Sequence, residues 1–224
     1  MTKIAIITAM TCEFDAIFTM YDFKYIKDYA YLNLNGNEIY LIKCGIGKVN
    51  SALKADYAIR LGADVIISTG LAGGIDSCLK QGDVVLASKV CYHDVWCGSP
   101  NLKGQVQDFP LYYTLDESLA RKLYSLVENN SYKYGLTLTG DQFLTDVDCL
   151  NKIKTEFPEA LAVDMESASI AQTCYLNNTP FISLRIISDV VGVDNQEEQY
   201  ESFWKNLPNI SLKMVDEVLN SLKN

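Results

Sequence analysis

Short apolar runs alternate along this chain with longer segments of helical period, and this alternation constrains the fold more than any other feature. Short apolar runs rich in β-branched residues are typical of buried strands, whereas apolar residues at i, i+3 and i+4 indicate helices. Strands and helices that alternate in sequence favour a layered α/β architecture. The sequence therefore predicts an α/β three-layer sandwich, in which a central twisted mixed β-sheet is flanked by helices.

The individual elements can also be predicted. Strands are expected at Lys3–Thr8, Tyr29–Leu34, Glu38–Lys43, Asp64–Thr69, Val84–Ala87, Lys133–Thr139, Ala162–Asp164 and Phe181–Ser188. Helices are expected at Val49–Leu61, Glu117–Asn129, Asp148–Phe157, Glu166–Leu176 and Gln199–Leu222. The dipeptide Asn35-Gly36 is a strong hairpin signal between two of the strands. The stretch from Gly98 to Pro110 predicts a long loop, of the kind often found at functional sites or interfaces.

Length and composition limit the class of protein. The 224 residues suit one large domain, so residues 1–224 are expected to form a single unit. The net charge of −9 argues against nucleic acid and anionic membranes as partners, because phosphate binding needs a basic surface. Because the apolar run at residues 4–7 is short and continues into a strand pattern, neither a signal peptide nor a membrane span is expected. The seven cysteines are scattered without a CxxC pair, which predicts free thiols in a reducing cytoplasm.

Neither a metal nor an organic cofactor is expected. The only histidine is His93, for which a structural role is preferred, and no metal-ligand cluster accompanies it. The glycine-rich segments Gly70–Gly74 and Cys44–Lys48 match neither the dinucleotide-binding motif nor a Walker A loop. Each of them, considered alone, is more often a tight turn than a ligand-binding loop.

Three carboxylic acids follow predicted strands, where ligands gather in α/β sheets. Glu13 follows the first strand, Glu166 follows Ala162–Asp164, and Asp189 ends the last strand. Cleavage of a glycosidic bond needs an acid for the leaving group and a base for water, so two of these acids could serve. Structural roles stay open at this point. Asp189 could cap a helix or pair with Arg185, and the two glutamates could be first-turn acids stabilised by helix dipoles.

The scarcity of arginine distinguishes two kinds of glycosidic cleavage. Arginine occurs only at Arg60, Arg121 and Arg185, and the first two are predicted on exposed helix faces. Phosphorolysis requires a site for a phosphate dianion, which proteins usually bind with forked guanidinium groups. One suitable arginine is too few, so water is predicted to be the nucleophile.

A series of short motifs resembles a known family. The motifs, in chain order, are Ala9-Met10 with Glu13, Gly45–Val49, Thr69–Gly74, Thr139–Leu144, Val163–Glu166 and Ile187–Asp189. This series resembles the 5′-methylthioadenosine/S-adenosylhomocysteine nucleosidases of the nucleoside phosphorylase superfamily, from the first strand to the last helix. Each motif is weak alone, but six in one order with compatible spacing are specific. The resemblance implies a nucleoside phosphorylase-like fold and a place in methionine salvage and nucleoside catabolism.

The resemblance also implies roles for particular residues. Glu13 matches the base that activates water, and Asp189 matches the acid that protonates adenine N7. The other residues expected to contact or support the substrate are Met10, Ile46, Ala72, Gly73, Phe143, Leu144, Met165, Glu166, Arg185 and Ser188. Among them, Glu166 is expected to hold the ribose hydroxyls, with Met165 packed on the sugar. The partner is expected to be an adenine nucleoside.

The adenine and the 5′-substituent have separate expected contacts. Phe143 is expected to stack on adenine, and the backbone of Leu144 to read its amino edge. Ile46 is expected to line the alkylthio pocket, and Arg185 and Ser188 to support the water and the acid. A homodimer is expected to complete this pocket, with the loop around Trp96–Pro110 as a candidate contribution.

One departure from the family leaves alternatives open. Leu71 stands where the family often has a small residue, and its side chain cannot hydrogen-bond water or ribose. The leading hypothesis is hydrolysis of 5′-methylthioadenosine and S-adenosylhomocysteine to adenine and a thioribose. The alternatives are a purine nucleoside phosphorylase of the same fold, a futalosine-type hydrolase, and a nucleoside-binding protein without turnover.

Overall fold

The structure, a computed structural model, describes residues 1–129, 132–203 and 207–222. Its strands are β1 Lys3–Thr8, β2 Lys24–Ile26, β3 Tyr29–Leu34, β4 Asn37–Lys43, β5 Val65–Gly74, β6 Val84–Tyr92, β7 Tyr113–Thr114, β8 Lys133–Thr139, β9 Ala160–Asp164 and β10 Phe181–Val190. Its helices are α1 Thr11–Phe18, α2 Lys48–Arg60, α3 Glu117–Glu128, α4 Val147–Glu156, α5 Ser167–Leu176, α6 Gln196–Phe203 and α7 Leu207–Ser221.

All ten of these strands belong to one mixed sheet, which confirms the predicted sheet flanked by helices. Strand β5 runs parallel to both β1 and β10, and β1 runs parallel to β4. In contrast, β6 is antiparallel to β10, and β9 is antiparallel to β5. The pairings β5–β10, β10–β6, β6–β8, β8–β9 and β9–β5 close a ring of five strands. Strands β1, β4, β3 and β2 extend the sheet from β5.

Alternation along the strands produces the layers. In β1, Ile4 and Ile6 pack in the core shared with α1, α3 and α7, whereas Ala5 and Ile7 pack in the core shared with α2 and α5. Successive side chains of a strand point to opposite faces, so a continuous apolar run can fill two cores. The sheet is therefore covered by helices on both faces, as the sequence pattern predicts.

The ring brings two sets of strand ends together. Strand β5 runs antiparallel to β9 where Gly73 pairs with Val163 and Gly74 with Ala162. Because β1, β5 and β10 point one way and β8 and β9 the other, their carboxyl ends approach each other across this junction. This convergence forms the candidate site.

Several element boundaries differ from the prediction. Strands β5 and β6 continue to Gly74 and Tyr92, beyond the predicted ends, because strands β9, β10 and β8 pair with the extensions. In the range of the predicted helix Gln199–Leu222, the structure has the two helices α6 and α7, and residues 204–206 between them lie outside the described part.

Candidate active site

A cavity of about 400 Å³ lies where the strand ends meet, a volume that suits a small-molecule ligand. The site residues predicted from the sequence line it, with the exception of Arg185: Met10, Glu13, Ile46, Ala72, Gly73, Phe143, Leu144, Met165, Glu166, Ser188 and Asp189. They come from the ends of β1, β5, β8, β9 and β10, from the first turn of α1 and from the segment before α2. The structure therefore brings nearly the whole predicted set into one cavity.

Glu13 is held by the backbone at the start of α1. One carboxylate oxygen, Oε2, accepts hydrogen bonds from the N–H groups of Ala9 at 3.0 Å and Met10 at 2.9 Å. The other, Oε1, accepts from the N–H of Leu71 at 2.9 Å. Burial raises the pKa of Glu13, while these N–H donors and the positive charge of Arg185 oppose the rise. The result is a buried carboxylate with fixed geometry, as a general base requires.

Leu71 supports this glutamate with its backbone alone. Its N–H donates to Glu13 whatever side chain stands at this position, and its own side chain is buried against the main core while lining the cavity. The departure from the family at Leu71 thus leaves the hydrogen bonds of the glutamate in place.

Gly70 makes the close approach of Glu13 possible. A Cβ atom at this position would lie 2.6 Å from Glu13 Oε1 and 3.0 Å from its Cδ. These distances are shorter than van der Waals contact, so any side chain would displace the carboxylate. The absence of a side chain at Gly70 therefore leaves room for the Glu13 carboxylate, and this role replaces the tight-turn interpretation.

Glu13 is the base that the sequence predicts, and a misplaced base would lose much of its 10²–10⁴-fold contribution, so Gly70→Ala is expected to lower kcat by about 10²-fold. Gly135→Ala is the matched control, because its Cβ would meet Leu161 at the same 2.6 Å but no site residue. Steady-state kinetics and thermal unfolding of both variants provide the check. Equal losses of kcat in both would contradict the steric role of Gly70.

Asp189 is buried at the end of β10, with 1% of its surface exposed. Its Oδ1 accepts from the Ser188 hydroxyl at 2.5 Å, and its Oδ2 accepts from the Gln196 amide at 2.8 Å. Burial raises the pKa of Asp189, and the two hydrogen bonds oppose the rise. A carboxyl group whose protonated form is favoured by burial suits a general acid.

Glu166 lies directly before the first residue of α5. Its Oε1 accepts from the N–H of Gly47 at 2.9 Å. Burial and the nearby charge of Asp164 raise the pKa of Glu166 to about 7, although Arg185 opposes the rise. The Gly47 contact links the segment before α2 to the carboxyl end of β9. Ile46 in that segment thereby reaches the cavity.

Arg185 lies behind the cavity wall rather than on it. Its Nε contacts Asp164 Oδ2 at 2.6 Å, and both side chains are almost completely buried. Another guanidinium nitrogen donates to Ser68 Oγ at 2.8 Å. Burial alone would raise the pKa of Asp164, but Arg185 and hydrogen bonds from Ser167 and Thr139 hold it below its usual range. The guanidinium acts on the site through Asp164 and through its charge.

Replacing Arg185 with methionine is expected to lower the free energy of unfolding by about 3–5 kcal/mol, because Asp164 would remain as an uncompensated buried charge. Urea unfolding at neutral pH measures this loss. Arg121→Met is the control, since Arg121 is exposed and its ion pair with Glu117, at 3.8 Å, lies on the surface. Its expected change is within about 0.5 kcal/mol. Similar small changes in both variants would contradict the expected contribution of the Arg185–Asp164 pair to the free energy of unfolding.

Apolar and aromatic side chains form the rest of the cavity wall. Phe143 is half exposed, and its ring meets that of Tyr200 edge-on with centroids 5.3 Å apart. The Tyr200 hydroxyl lies 3.7 Å from Met10 Sδ. Flat rings and adaptable thioether side chains suit a planar aromatic ligand.

Sequence reasoning missed several lining residues: Ala9, Gln142, Val163, Asp164, Val191 and Tyr200. Four of these lie within the quoted motifs but received no role. Tyr200 and Val191 lie outside every motif, and Gln196, which binds Asp189, does so too. The packing of α6 against the end of β10 brings Tyr200 and Gln196 to the site, whereas Val191 directly follows β10.

The lining residues carry one sign of charge. Glu13, Asp164, Glu166 and Asp189 line the cavity, whereas no lysine, arginine or histidine among the described residues does so. The described residues also contain no group of three or more histidine, cysteine or acidic side chains arranged to hold a metal ion. His93 is largely buried at Gly140, where burial lowers its pKa, and it does not line the cavity. Within the described chain, no helix has the length and apolar character needed to cross a membrane.

Residues 3–220 match the family model of the Phosphorylase superfamily, which is the class that this fold and site define. A 5′-methylthioadenosine/S-adenosylhomocysteine nucleosidase of Buchnera aphidicola is 38% identical, over 79% of this chain and 75% of that protein. The enzyme of that name from Staphylococcus carnosus is 36% identical, over 89% of this chain and 87% of that protein.

A solved structure agrees with these relatives. The S-adenosylhomocysteine nucleosidase of Streptococcus pyogenes, in complex with 5-methylthiotubericidin, has a TM-score of 0.93 and 31% identity to this chain. The alignment covers 100% of this chain and 98% of that one. The chain belongs to the 5′-methylthioadenosine/S-adenosylhomocysteine nucleosidase family, which confirms the resemblance seen in its motifs.

Proposed function

We propose that the protein hydrolyses the N-glycosidic bond of 5′-methylthioadenosine and S-adenosylhomocysteine, releasing adenine and a 5-thioribose product. The observation that carries this proposal is a cavity lined by buried carboxyl groups with no cationic side chain among its described residues. A phosphate dianion would meet like charge there, whereas water would find bases to accept its proton. The names of the relatives support the two substrates.

Asp189 and Glu13 would divide the chemistry between them. Asp189 gives its proton to adenine N7 as the C1′–N9 bond breaks, and the electron pair of that bond leaves with the base. Adenine therefore departs neutral. Glu13 accepts a proton from water while the water oxygen bonds to C1′, which resembles an oxocarbenium ion in the transition state. Proton exchange with solvent then restores both carboxyl groups.

Other side chains would bind and orient the substrate. Glu166 would accept hydrogen bonds from the ribose hydroxyls, because its carboxylate lies on the cavity and is fixed by Gly47. Met165 would pack on the sugar, and Ile46 on the 5′-alkylthio group. Phe143, with Tyr200 at its edge, would stack on adenine.

We also propose that a second copy of the chain completes the 5′ end of the cavity. Ile46, Val49 and Leu53 are all more than half exposed, and Val49 and Leu53 lie one turn apart on α2. Trp96 and Leu102 of the loop 96–110 are exposed as well, although no residue of this loop lines the cavity of its own chain. Sedimentation of the wild type and of Leu53→Glu would test the homodimer.

Two broader assignments complete the proposal. The sheet is continuous from β2 to β10, which supports a single domain over residues 1–224. All seven cysteines are free thiols, which suits the reducing cytoplasm as the place of action.

The decisive experiment measures adenine release from 5′-methylthioadenosine in phosphate-free buffer made with ¹⁸O-water, and then with phosphate added. Release without phosphate, with one ¹⁸O in the sugar product, is the expected result. Release only with phosphate would make the protein a phosphorylase. Binding of the substrate without release in either buffer would favour a nucleoside-binding protein.

A further inference from the structure

Gln196 joins three separate parts of the site, although no motif includes it. It is the first residue of α6 and is 5% exposed. Its Oε1 accepts from the N–H of Gly192 at 3.1 Å. Its Nε2 donates both to the carbonyl of Leu144 and to Asp189 Oδ2, each at 2.8 Å. The oxygen of this buried amide and both of its N–H groups are thus hydrogen-bonded.

The neighbouring backbone fixes the orientation of this amide. A backbone N–H can only donate, so Gly192 requires the oxygen of Gln196 on its side. A carbonyl can only accept, so Leu144 requires the nitrogen. The same nitrogen must then face Asp189. Ser188, by contrast, can turn its hydroxyl from Asp189 to the carbonyl of Ala72, which lies 3.3 Å away.

The two acceptors held by this nitrogen match one edge of adenine. Adenine presents N7 as an acceptor and its 6-amino group as a donor side by side on the same edge. In the proposed function Asp189 faces N7, and the family resemblance implies that the backbone of Leu144 faces the amino edge. Because a carbonyl oxygen has two lone pairs, Leu144 can accept from Gln196 and from adenine together.

We propose that Gln196 is a positioning and specificity residue, whose amide nitrogen sets the spacing between the Asp189 carboxyl and the Leu144 carbonyl to match the N7 and 6-amino edge of adenine. This inference rests on the proposed function. It assigns discrimination against 6-oxo purines to a residue that touches no substrate atom. A 6-oxo purine would direct an acceptor at the carbonyl that Gln196 fixes, and two acceptors repel each other.

The same helix offers a matched control. Gln199 Oε1 accepts from the N–H of Val190 at 3.0 Å, so it also fastens α6 to the end of β10. It makes no contact with Asp189 or Leu144 among the described hydrogen bonds. Gln196 and Gln199 therefore both hold α6 against the end of β10. Of the two, only Gln196 contacts Asp189 and Leu144.

The test compares Gln196→Met with Gln199→Met. For each variant and the wild type, kcat/KM is measured on 5′-methylthioadenosine and 5′-methylthioinosine across pH, and adenine and hypoxanthine binding by calorimetry. Gln196→Met is expected to reduce the preference for the adenine compounds by up to about 10-fold, the value of one well-placed hydrogen bond between neutral groups. Gln199→Met is expected to lower thermal stability and leave this preference unchanged.

The pH profile gives a second readout that a purely structural role would not change. The groups facing Asp189 are Ser188 on its own strand and Gln196 and Tyr200 on α6. Loss of the Gln196 donor disfavours the carboxylate, so the pKa of Asp189 rises further. Since Asp189 acts in its protonated form, the alkaline limb of kcat/KM is expected to move to higher pH in Gln196→Met.

The outcomes separate the inference from the proposed function. If neither the adenine preference nor the alkaline limb changes in Gln196→Met, or if both glutamine variants behave alike, the inference is overturned. If the wild type releases no adenine, the proposed function fails, while the calorimetric preference for adenine and its dependence on Gln196 still decide the inference.

Discussion

Asp189→Asn is expected to slow adenine release from 5′-methylthioadenosine by about 10²–10⁴-fold, the usual contribution of a positioned general acid. An amide cannot give a proton to N7, so the base would have to leave as an anion. The fold should persist, because the amide oxygen can accept from Gln196 and the Ser188 hydroxyl can accept from the amide nitrogen. Single-turnover measurements of adenine formation give the rate of this step for the wild type and the variant.

A substrate that needs no acid separates lost chemistry from lost structure. The 4-nitrophenyl glycoside of 5-methylthioribose has a leaving group that departs as an anion, so Asp189→Asn should cleave it within about 10-fold of the wild-type rate. Asp194→Asn, a change at an exposed carboxylate five residues away, should leave both reactions unaltered. Parallel losses on both substrates in Asp189→Asn would overturn the role of Asp189 as the acid.

Glu13→Gln is expected to lower turnover by a similar factor of about 10²–10⁴, but on both substrates. Each reaction needs water to lose a proton, whatever the leaving group. The contrast between the two variants therefore distinguishes base from acid without any assumption about binding. Retained cleavage of the 4-nitrophenyl substrate by Glu13→Gln would contradict water activation by this glutamate.

Glu13→Gln is also expected to lower the free energy of unfolding. Three backbone N–H groups point at the two oxygens of Glu13, and glutamine has one oxygen only. With that oxygen toward Ala9 and Met10, its amide nitrogen would face the N–H of Leu71, donor against donor. The cost should be about 1–3 kcal/mol in urea unfolding. Glu198→Gln, at an exposed site on α6, is the control for the chemical change.

The pH dependence of the wild type follows from the same two groups. Glu13 must be ionised to accept a proton, and burial raises its pKa, so the acidic limb of kcat/KM should lie above the ordinary range of glutamate. Glu13→Gln should lose this limb. A limb that persists unchanged in Glu13→Gln would assign it to another group.

Local pattern alone determined the elements with strong periodicity. The strand Lys3–Thr8, the strand Lys133–Thr139 and the hairpin at Asn35-Gly36 were predicted with the bounds that the structure shows, within one residue. In these segments β-branched side chains, alternation and turn chemistry agree with the tertiary environment. The ordered motifs likewise determined the family and most of the cavity lining.

Helix α1 was not predicted, because its first turn lacks the usual sequence signal. The residue before it is Met10, which offers no side-chain oxygen to cap the helix. Instead Glu13, in the first turn, accepts from the N–H of Met10 and also from Leu71 on β5. The stabilising contact thus comes partly from a strand 58 residues away in sequence.

What only the tertiary structure decided is which polar groups meet. The sequence placed Arg185 near the acids, but the fold directs it to Asp164 and away from the cavity. It also brings Tyr200 and Gln196 to Asp189 through the docking of α6, although no local pattern marks either residue. Periodicity reports the environment along one element, whereas hydrogen bonds and charge pairs between elements depend on how the elements pack. The raised pKa values of Glu13, Glu166 and Asp189 follow from that packing, since burial is the largest cause in each.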